Sequence, residues 1–365
     1  MNARERLLTA LSNGKPDHLP AQVHGWMKYY LDHYLGGCDQ YEAYARFGLD
    51  AVIYVGPEHH YAAADLARWQ VERHDLGTGA DGNDLWVDTI HTPGGDLIRR
   101  GAGNAITVWE TEPLIKSERD FELFAKYAPV PDRVDISPVR AAKEKIGDNG
   151  IVRGHAYGFG QGSPWQDLCI LMGTEPAIFA ALDKPEWTHD ALETILQKRL
   201  RWLERWGDAP FDLIETGGGA GSNTVISPKM FREFCLPYDR RQHAALHAAG
   251  HRVVYHLCGG LMQMLEMVAE NGADGLETMT PPSMGGDCDL AEANRRVGNR
   301  LFFIGGFDQN AGFEKGSPEN ARMQVFTLHA ACPDGGYICS PSDHFFYGDP
   351  ANIQAFADAA KACRY

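Results

Sequence analysis

His256 and Cys258 are the residues of this chain whose types and spacing most directly indicate metal chemistry. Residues two apart on a β-strand project from the same face, so an imidazole and a thiolate there could hold one ion together. Nitrogen and sulfur ligands favour zinc, and a catalytic zinc site has three protein ligands and an open position. The alternative is a hydrogen-bonded core histidine beside a small, buried cysteine.

Glu277 closes the next predicted strand, which would place its carboxylate at the same end of the protein. A buried carboxylate is costly unless it is paired or binds a cation, so Glu277 is predicted as a third metal ligand. A salt bridge to a loop arginine is the alternative. Asp343 or Cys339 would complete the site, and Asp343 has the better reach because Cys339 lies within an apolar run.

Further ionisable and aromatic side chains close the other predicted strands. Glu215, which precedes a glycine-rich loop, is predicted to be catalytic. His344 is also predicted to be catalytic, as an acid or base, although it could instead orient a ligand or touch substrate. A mouth rich in aromatic and imidazole rings suits a planar or partly apolar ligand. The predicted substrate-binding residues are His24, Trp26, Tyr54, His155 and Tyr157, each of which could equally be structural.

The elements that would position these residues alternate between short apolar runs and amphipathic helices. This order predicts an α/β fold, specifically a (β/α)8 TIM barrel, because no dinucleotide-type glycine fingerprint follows the first strand. A β-hairpin insertion after the second strand is predicted over 77–108, and the clearest helices over 185–206, 228–249 and 261–271. Residues 1–365 are expected to form a single domain. The eight predicted strands are 19–24, 51–56, 151–158, 211–217, 252–259, 275–279, 301–308 and 335–340.

The composition excludes several classes of function. The 365 residues include 34 Lys and Arg against 49 Asp and Glu, which gives a net charge of -15. This charge argues against binding to nucleic acid or to anionic membranes. No apolar run approaches the length of about 18 residues that a membrane span needs, and eight scattered cysteines indicate reduced thiols. We therefore expect a cytoplasmic enzyme that acts on a small molecule.

Motifs spread over nearly the whole chain resemble those of one enzyme superfamily. They include Arg4-Glu5-Arg6-Leu7-Leu8, Ser227-Pro228-Lys229-Met230-Phe231, Tyr255-His256-Leu257-Cys258-Gly259 and Gly305-Gly306-Phe307-Asp308. On these residues the chain resembles the uroporphyrinogen decarboxylase and cobalamin-dependent methyltransferase superfamily, which also includes cobalamin-independent methionine synthase.

The resemblance implies a choice between two chemistries. The decarboxylases carry an arginine-rich motif after the first strand, whereas this chain has His24-Gly25-Trp26-Met27-Lys28, with no arginine to bind a polycarboxylate. The methyltransferase branch holds zinc with an HxC pair, which His256 and Cys258 match, and its methionine synthase relatives add a glutamate, matched by Glu277. Asp343 stands where those relatives have a further cysteine, and this substitution would harden the site and raise its Lewis acidity.

The sequence thus predicts a zinc-dependent methyltransferase. The methyl group would move between an O- or S-methyl substrate and a corrinoid, which the resemblance places on a separate corrinoid protein docking over the barrel mouth. One alternative is a metal-free decarboxylase of a smaller acid, with Asp343 or His344 as proton donor. Another is a binding protein that has lost its activity, although ionisable residues at several strand ends are costly without a ligand.

Overall fold

A curled sheet of seven parallel strands forms the centre of the computed structural model, which describes residues 1–155 and 162–365. The strands lie in the order β1, β8, β9, β10, β11, β12, β13, so that each neighbours the next in the chain apart from the segment between β1 and β8. The strands are β1 Ala51–Tyr54, β2 Glu58–His60, β3 Gln70–Thr78, β4 Asp84–Thr92, β5 Gly95–Gly103, β6 Val108–Glu112, β7 Arg133–Asp135, β8 Gly150–His155, β9 Leu213–Gly217, β10 Val253–His256, β11 Gly275–Thr278, β12 Phe302–Phe307 and β13 Tyr337–Pro341.

Helices connect the parallel strands because each strand must return to the same end of the sheet before the next one begins. Most begin at a Ser, Asp or Asn cap or carry a proline in their first turn, as Ser317 and Pro318 do in α14. The α-helices are α1 Ala3–Ala10, α2 Lys28–Tyr34, α3 Gln40–Phe47, α4 Ala63–Leu66, α5 Glu118–Tyr127, α6 Ser137–Ile146, α7 Pro164–Met172, α8 Thr174–Asp183, α9 Pro185–Leu203, α10 Pro228–Met230, α11 Leu236–Ala248, α12 Leu265–Ala269, α13 Leu290–Val297, α14 Pro318–Ala331 and α15 Pro350–Ala362.

The inside of the curl is apolar toward the amino ends of the strands. Val52, Ile151, Leu213 and Val254 belong to a small buried cluster there, and α1 contributes Leu7 to the same cluster. A larger apolar cluster lies between the sheet and the surrounding helices. The strands are therefore covered on both faces, which explains their nearly continuous apolar sequences.

The first predicted strand, over 19–24, is wrong as a strand. Ala21 forms an isolated parallel bridge with Cys339 of β13. Its carbonyl oxygen also accepts a hydrogen bond from the Asp50 backbone N–H, at 2.9 Å. This segment therefore lies between β13 and the start of β1. Pro20 has no backbone N–H to contribute to a longer ladder.

The remaining seven predicted strands coincide with the strands of the central sheet, with ends that differ by a few residues. The predicted strand over 151–158 is described as far as His155. The predicted hairpin over 77–108 corresponds to part of a larger antiparallel sheet formed by β3 to β6. Within that sheet Pro93 and Gly94 form the turn between β4 and β5, where Thr92 pairs with Gly95.

Two of the three clearest predicted helices are shorter or less regular than expected. The helix over 185–206 is present as α9, whereas the one over 261–271 is regular only in α12. The predicted helix over 228–249 is divided into α10, a π-helical segment over Phe231–Cys235, and α11. Pro237 lies in the first turn of α11, where a missing backbone N–H favours a change of helical register.

Among the described residues, the helices are too short or too polar to cross a lipid bilayer.

Candidate metal and substrate site

Inside the curled sheet, polar side chains lie next to the apolar layer, on the side of the carboxyl ends of the strands. Side chains two residues apart along a strand share a face, so Arg153 follows Ile151, Glu215 follows Leu213 and His256 follows Val254 on the inward side. Each of these polar side chains is almost completely buried. We call the group formed by His24, Arg153, Glu215, His256 and Glu277 the inner cluster.

Arg153 lies at the base of the inner cluster and was missed by the sequence analysis. Its guanidinium Nη2 donates to Glu215 Oε2 at 2.6 Å and also to Glu277 Oε1. Its side chain is fully buried and lies 4.8 Å from the centre of the Tyr54 ring. The signal that could have found it is a charged residue in the middle of an otherwise apolar buried strand, which requires buried partners of opposite charge.

Both carboxylates remain ionised because of this arginine. Burial raises the pKa of the Glu277 carboxyl, but Arg153 and the hydrogen bond from His256 outweigh it and hold that pKa well below its ordinary value. Burial likewise raises the pKa of Glu215, and Arg153 again more than compensates, so the net shift is downward. A salt bridge, the alternative role predicted for Glu277, is therefore present, and its partner is Arg153 on a strand and not an arginine in a loop.

His256 lies between the two carboxylates. Its Nδ1 is 3.0 Å from Glu277 Oε1 and 3.5 Å from Glu215 Oε1. Burial lowers the pKa of this imidazole, but hydrogen bonds with Cys258 and Glu277 and the nearby charge of Glu215 raise it well above its ordinary value. In the absence of a metal ion, His256 is therefore an imidazolium whose charge is balanced within the inner cluster.

His24 adds a second imidazole. The ring centres of His24 and His256 are 5.3 Å apart. One ligand atom from each of His24, His256 and Glu277 can be chosen so that all three lie within 4.8 Å of one another. Burial lowers the pKa of His24 to about 4, so this ring is neutral at physiological pH and its free nitrogen can coordinate a metal.

Cys258 lies beside His24, His256 and Glu277 but does not belong to the group of ligand atoms that lie within 4.8 Å of one another. Its thiol hydrogen-bonds with His256, and the side chain is partly exposed. The loop after β9 approaches it closely, because a Cβ atom on Gly219 would lie 2.6 Å from Cys258 Sγ. The assignment of Cys258 as a ligand stays a prediction, and a glycine at position 219 leaves room for the sulfur.

The last strand ends in residues that face the solvent. Asp343 is exposed, and its Oδ1 accepts a hydrogen bond from the His344 backbone N–H at 2.7 Å. Its predicted role as a fourth ligand stays a prediction, and within the described chain it does not belong to the compact group of ligand atoms. The alternative ligand, Cys339, is fully buried within β13.

Two further histidines lie at the open side of the inner cluster. His344 is exposed, and its ring centre is 5.0 Å from that of the buried His24. His155 is about half exposed, with its Nδ1 3.4 Å from Glu215 Oε2. Its ring stacks on Tyr54 at 5.1 Å between centres. These rings therefore line the opening through which a substrate would reach the buried carboxylates.

Trp26, another predicted substrate-binding residue, contributes less to the lining of this opening. Trp26 stacks on Phe47 at 5.8 Å and meets Phe345 edge-on, which is the environment of a packed core side chain. Tyr157 lies outside the described residues. A second group with metal-ligand spacing, formed by Glu58, His60 and Asp135, joins β2 to β7 at the protein surface.

Comparison with known proteins identifies the family. The family model described as "Uroporphyrinogen decarboxylase (URO-D)" matches residues 111–363. The chain therefore belongs to the uroporphyrinogen decarboxylase family, and the resemblance seen in its motifs is confirmed.

Curated relatives carry the same family name. The uroporphyrinogen decarboxylase of Neisseria meningitidis is 35% identical over 183 residues, which cover 46% of this chain and 48% of that relative. The matched region therefore spans about half the length of these relatives. The uroporphyrinogen decarboxylase of Chromohalobacter salexigens is 25% identical over 97% of this chain and 96% of its own length.

Solved structures with similar folds include proteins with a different named chemistry. A methyltransferase from Methanosarcina mazei covers 99% of both chains with a TM-score of 0.65 and 14% sequence identity. A B12-independent methionine synthase from Shewanella sp. W3-18-1 covers 96% of this chain and 95% of its own, with a TM-score of 0.50 and 10% identity. At these identities the likeness establishes the fold alone.

Proposed function

We propose that this chain is a zinc-dependent methyltransferase that moves a methyl group between a small O- or S-methyl substrate and a corrinoid. In this proposal the sheet is a closed (β/α)8 barrel in which the segment around Ala21 completes the ring. The observation that carries the proposal is the compact group of buried ligand atoms from His24, His256 and Glu277.

The donor set fits a zinc ion. Glu277 Oε2 is buried and has no hydrogen-bond partner within the described part of the chain, so it is available to a cation. Two imidazoles, a carboxylate and the neighbouring thiol of Cys258 are ligands that zinc accepts. His24 thus becomes a candidate for the position that Asp343 was predicted to take. Bound zinc would supply Lewis-acid activation of the substrate heteroatom.

The charges of the inner cluster also permit a zinc ion to bind without leaving an unbalanced charge in the interior. Without a metal, Arg153 and His256 carry two positive charges and Glu215 and Glu277 two negative charges. Binding of a metal requires a neutral imidazole at His256, so the proton of that ring leaves, and it requires a thiolate at Cys258. The loss of the His256 proton and the negative charge of the thiolate together balance the divalent cation, so the net charge of the filled site is again zero.

The remaining residues would position the substrate and handle a proton. Tyr54 and His155 form an aromatic wall at the opening. When the methyl group moves to cob(I)alamin, the electron pair of the broken bond stays on the substrate heteroatom, which then takes up a proton. The exposed ring of His344 lies next to His24 and is the group we assign to deliver that proton.

Zinc analysis and a methyl-transfer assay test this proposal. Purified protein should contain one zinc ion per chain and should methylate free cob(I)alamin from one member of a panel of O- and S-methyl compounds. Cys258→Ala should bind zinc at least about tenfold more weakly, by roughly 1.4 kcal/mol. Cys38→Ala, at a cysteine of similar partial burial, is the matched control and should keep its zinc. Zinc content and activity that survive Cys258→Ala would refute the proposal.

A decarboxylase is the second candidate, and the names of the curated relatives favour it. Arg153 argues against a substrate with many carboxylates, because its guanidinium is fully buried and already paired with Glu215 and Glu277. The arginine-rich motif of the decarboxylases is also missing after His24. A smaller acid, protonated by Asp343 or His344 after loss of carbon dioxide, remains compatible with the opening.

One assay separates the two candidates. Metal-depleted protein should be incubated with uroporphyrinogen and, separately, with a panel of small carboxylic acids, and carbon dioxide release should be measured. The methyltransferase proposal predicts no release above the uncatalysed rate. Release that is unaffected by metal depletion would establish the decarboxylase instead.

A further inference from the structure

A cavity lies against helices α5 and α9, away from the candidate metal site. Within the described chain, its lining includes no residue of the inner cluster. Its volume is about 180 Å3. Trp69, Phe124, Ile195 and Trp202 give it an apolar wall. A protein cavity of about 150 Å3 can hold a benzene molecule, so this slot has room for one aromatic ring or a compact aliphatic group.

A basic cavity of about 300 Å3, called the outer cavity, adjoins the slot. Both cavities are lined by Lys198 and by the turn over 128–131. Five cationic side chains line the outer cavity against two carboxylates, Asp65 and Asp132. Within the described chain, none of these five cations forms an ion pair. They are Arg68, Lys126, Lys198, Arg201 and Arg205.

This arrangement is unusual for a chain whose net charge is -15. Cations crowded together repel one another, and a cleft with low-dielectric walls focuses their field on an incoming anion. Five cations that pair with no acid among the described residues therefore form a site that favours an anion, although the net charge of the protein as a whole repels anions.

Lys198 joins the two parts of the site. Its side chain is partly buried, and its Nζ donates to the Ala128 carbonyl oxygen at 2.7 Å. Burial lowers the pKa of Lys198 to about 8, and Arg201 lowers it further while Asp65 opposes the shift. An anion beside Nζ would stabilise the ammonium form, so the partial burial of this lysine is compensated when the site is filled.

The inner slot itself suits an uncharged group. Its charged lining includes Asp167 and Arg199, which form a buried ion pair with Arg199 Nε 2.7 Å from Asp167 Oδ2. Because these two charges are matched, an anionic head group gains more at the outer cations than inside the slot. A ligand would therefore lie with its apolar body inward and its charge outward.

We propose that the joined cavities bind a small amphiphilic anion, with an aromatic or compact aliphatic body in the slot and a carboxylate or phosphate among the cations. The site is separate from the proposed metal site and does not depend on the reaction catalysed there. Its ligand could be a regulator or a second substrate, and the chemistry of recognition is the same for both.

Binding of simple probes to the full chain tests this proposal. The probes are 3-phenylpropionate and phenyl phosphate, and 3-phenylpropanol is the uncharged control. Binding is measured by calorimetry and by tryptophan fluorescence, since Trp69 and Trp202 line the slot. At least one anion should bind saturably with one site per chain, at least tenfold more tightly than the alcohol. Added salt should weaken it, and the anion that binds more tightly identifies the preferred head group.

Variants distinguish this site from adventitious binding. Lys198→Met removes the charge at the junction, and Ala128→Leu fills the slot; each should weaken binding about tenfold. Lys229→Met, at an exposed lysine elsewhere, is the matched control and should leave binding unchanged. Arg201→Ala, at an exposed position, provides a second charge variant if Lys198→Met fails to fold. Absence of saturable binding by both anions, or binding that neither the charge variants nor Ala128→Leu weakens, would overturn the proposal.

Discussion

Arg153 determines the electrostatics of the proposed metal site more than any other single side chain described. It is fully buried, and together with His256 it balances the charge of two carboxylates that would otherwise take up protons in the same interior. A metal ligand must be a carboxylate and not a carboxylic acid, so in the proposed function Arg153 would keep Glu277 ready to coordinate without itself being a ligand. We therefore regard Arg153 as a positioning residue.

Replacing Arg153 tests this role. Arg153→Met leaves two buried carboxylates with the single positive charge of His256, and we expect the free energy of unfolding to fall by about 3–5 kcal/mol. Arg140→Met is the control, because Arg140 and Asp208 form an exposed ion pair whose loss should cost less than about 1 kcal/mol. Urea denaturation of the two variants measures the difference. Equal effects would show that the inner cluster is not held together by Arg153.

At the scale of elements, the contact between α11 and β10 holds the strand that carries His256. Asp239 of α11 is fully buried, and its Oδ2 accepts a hydrogen bond from the Tyr255 hydroxyl at 2.7 Å. Burial raises the pKa of Asp239 to about 7, although Tyr255 and Arg199 oppose the shift. The folded protein therefore binds a proton at Asp239 that the unfolded chain releases near pH 4.

This contact makes stability depend on pH. The stabilisation is complete below about pH 4 and is lost as the pH rises toward 7, with a slope of about 1.4 kcal/mol per pH unit. Asp239→Asn should remove this slope, whereas Asp190→Asn, at an exposed position of α9, should not. The test is the difference in unfolding free energy between wild type and each variant from pH 4.5 to 8. A constant difference for Asp239→Asn would contradict the assignment.

The strands of the central sheet were predictable because each is a short apolar run that ends in glycine or a polar residue. The site residues Glu215, His256 and Glu277 were found because each lies within three residues of the end of its predicted run, over 211–217, 252–259 and 275–279. Arg153 was missed because it lies five residues before the end of the predicted run over 151–158. The segment around Ala21 has the composition of a strand, but its pairing with β13 depends on contacts far apart in the chain.

At the scale of the whole molecule, the interior of the central sheet consists of two layers. The layer near α1 is apolar and closed, and the layer toward the carboxyl ends of the strands is charged and opens at His155 and His344. The buried charges sum to zero only when protons or a cation are present in the right number. In the proposed function, metal uptake would therefore be coupled to proton release by the charge balance of the inner cluster.

Proton release on zinc binding follows from this balance. At neutral pH we expect at least one proton to be released per zinc ion, because the His256 imidazolium must lose its proton to coordinate the metal. A pH indicator in weakly buffered solution measures this number during a zinc titration. Zinc uptake with no proton release would mean that His256 is not a ligand.

The most direct test of the central claim is anomalous diffraction at the zinc edge from crystals of the zinc-loaded protein. We predict one strong peak among His24, His256, Cys258 and Glu277, with zinc about 2.0–2.3 Å from the ligand atoms. A peak at the surface group of Glu58, His60 and Asp135 instead, or no peak inside the sheet, would contradict the account.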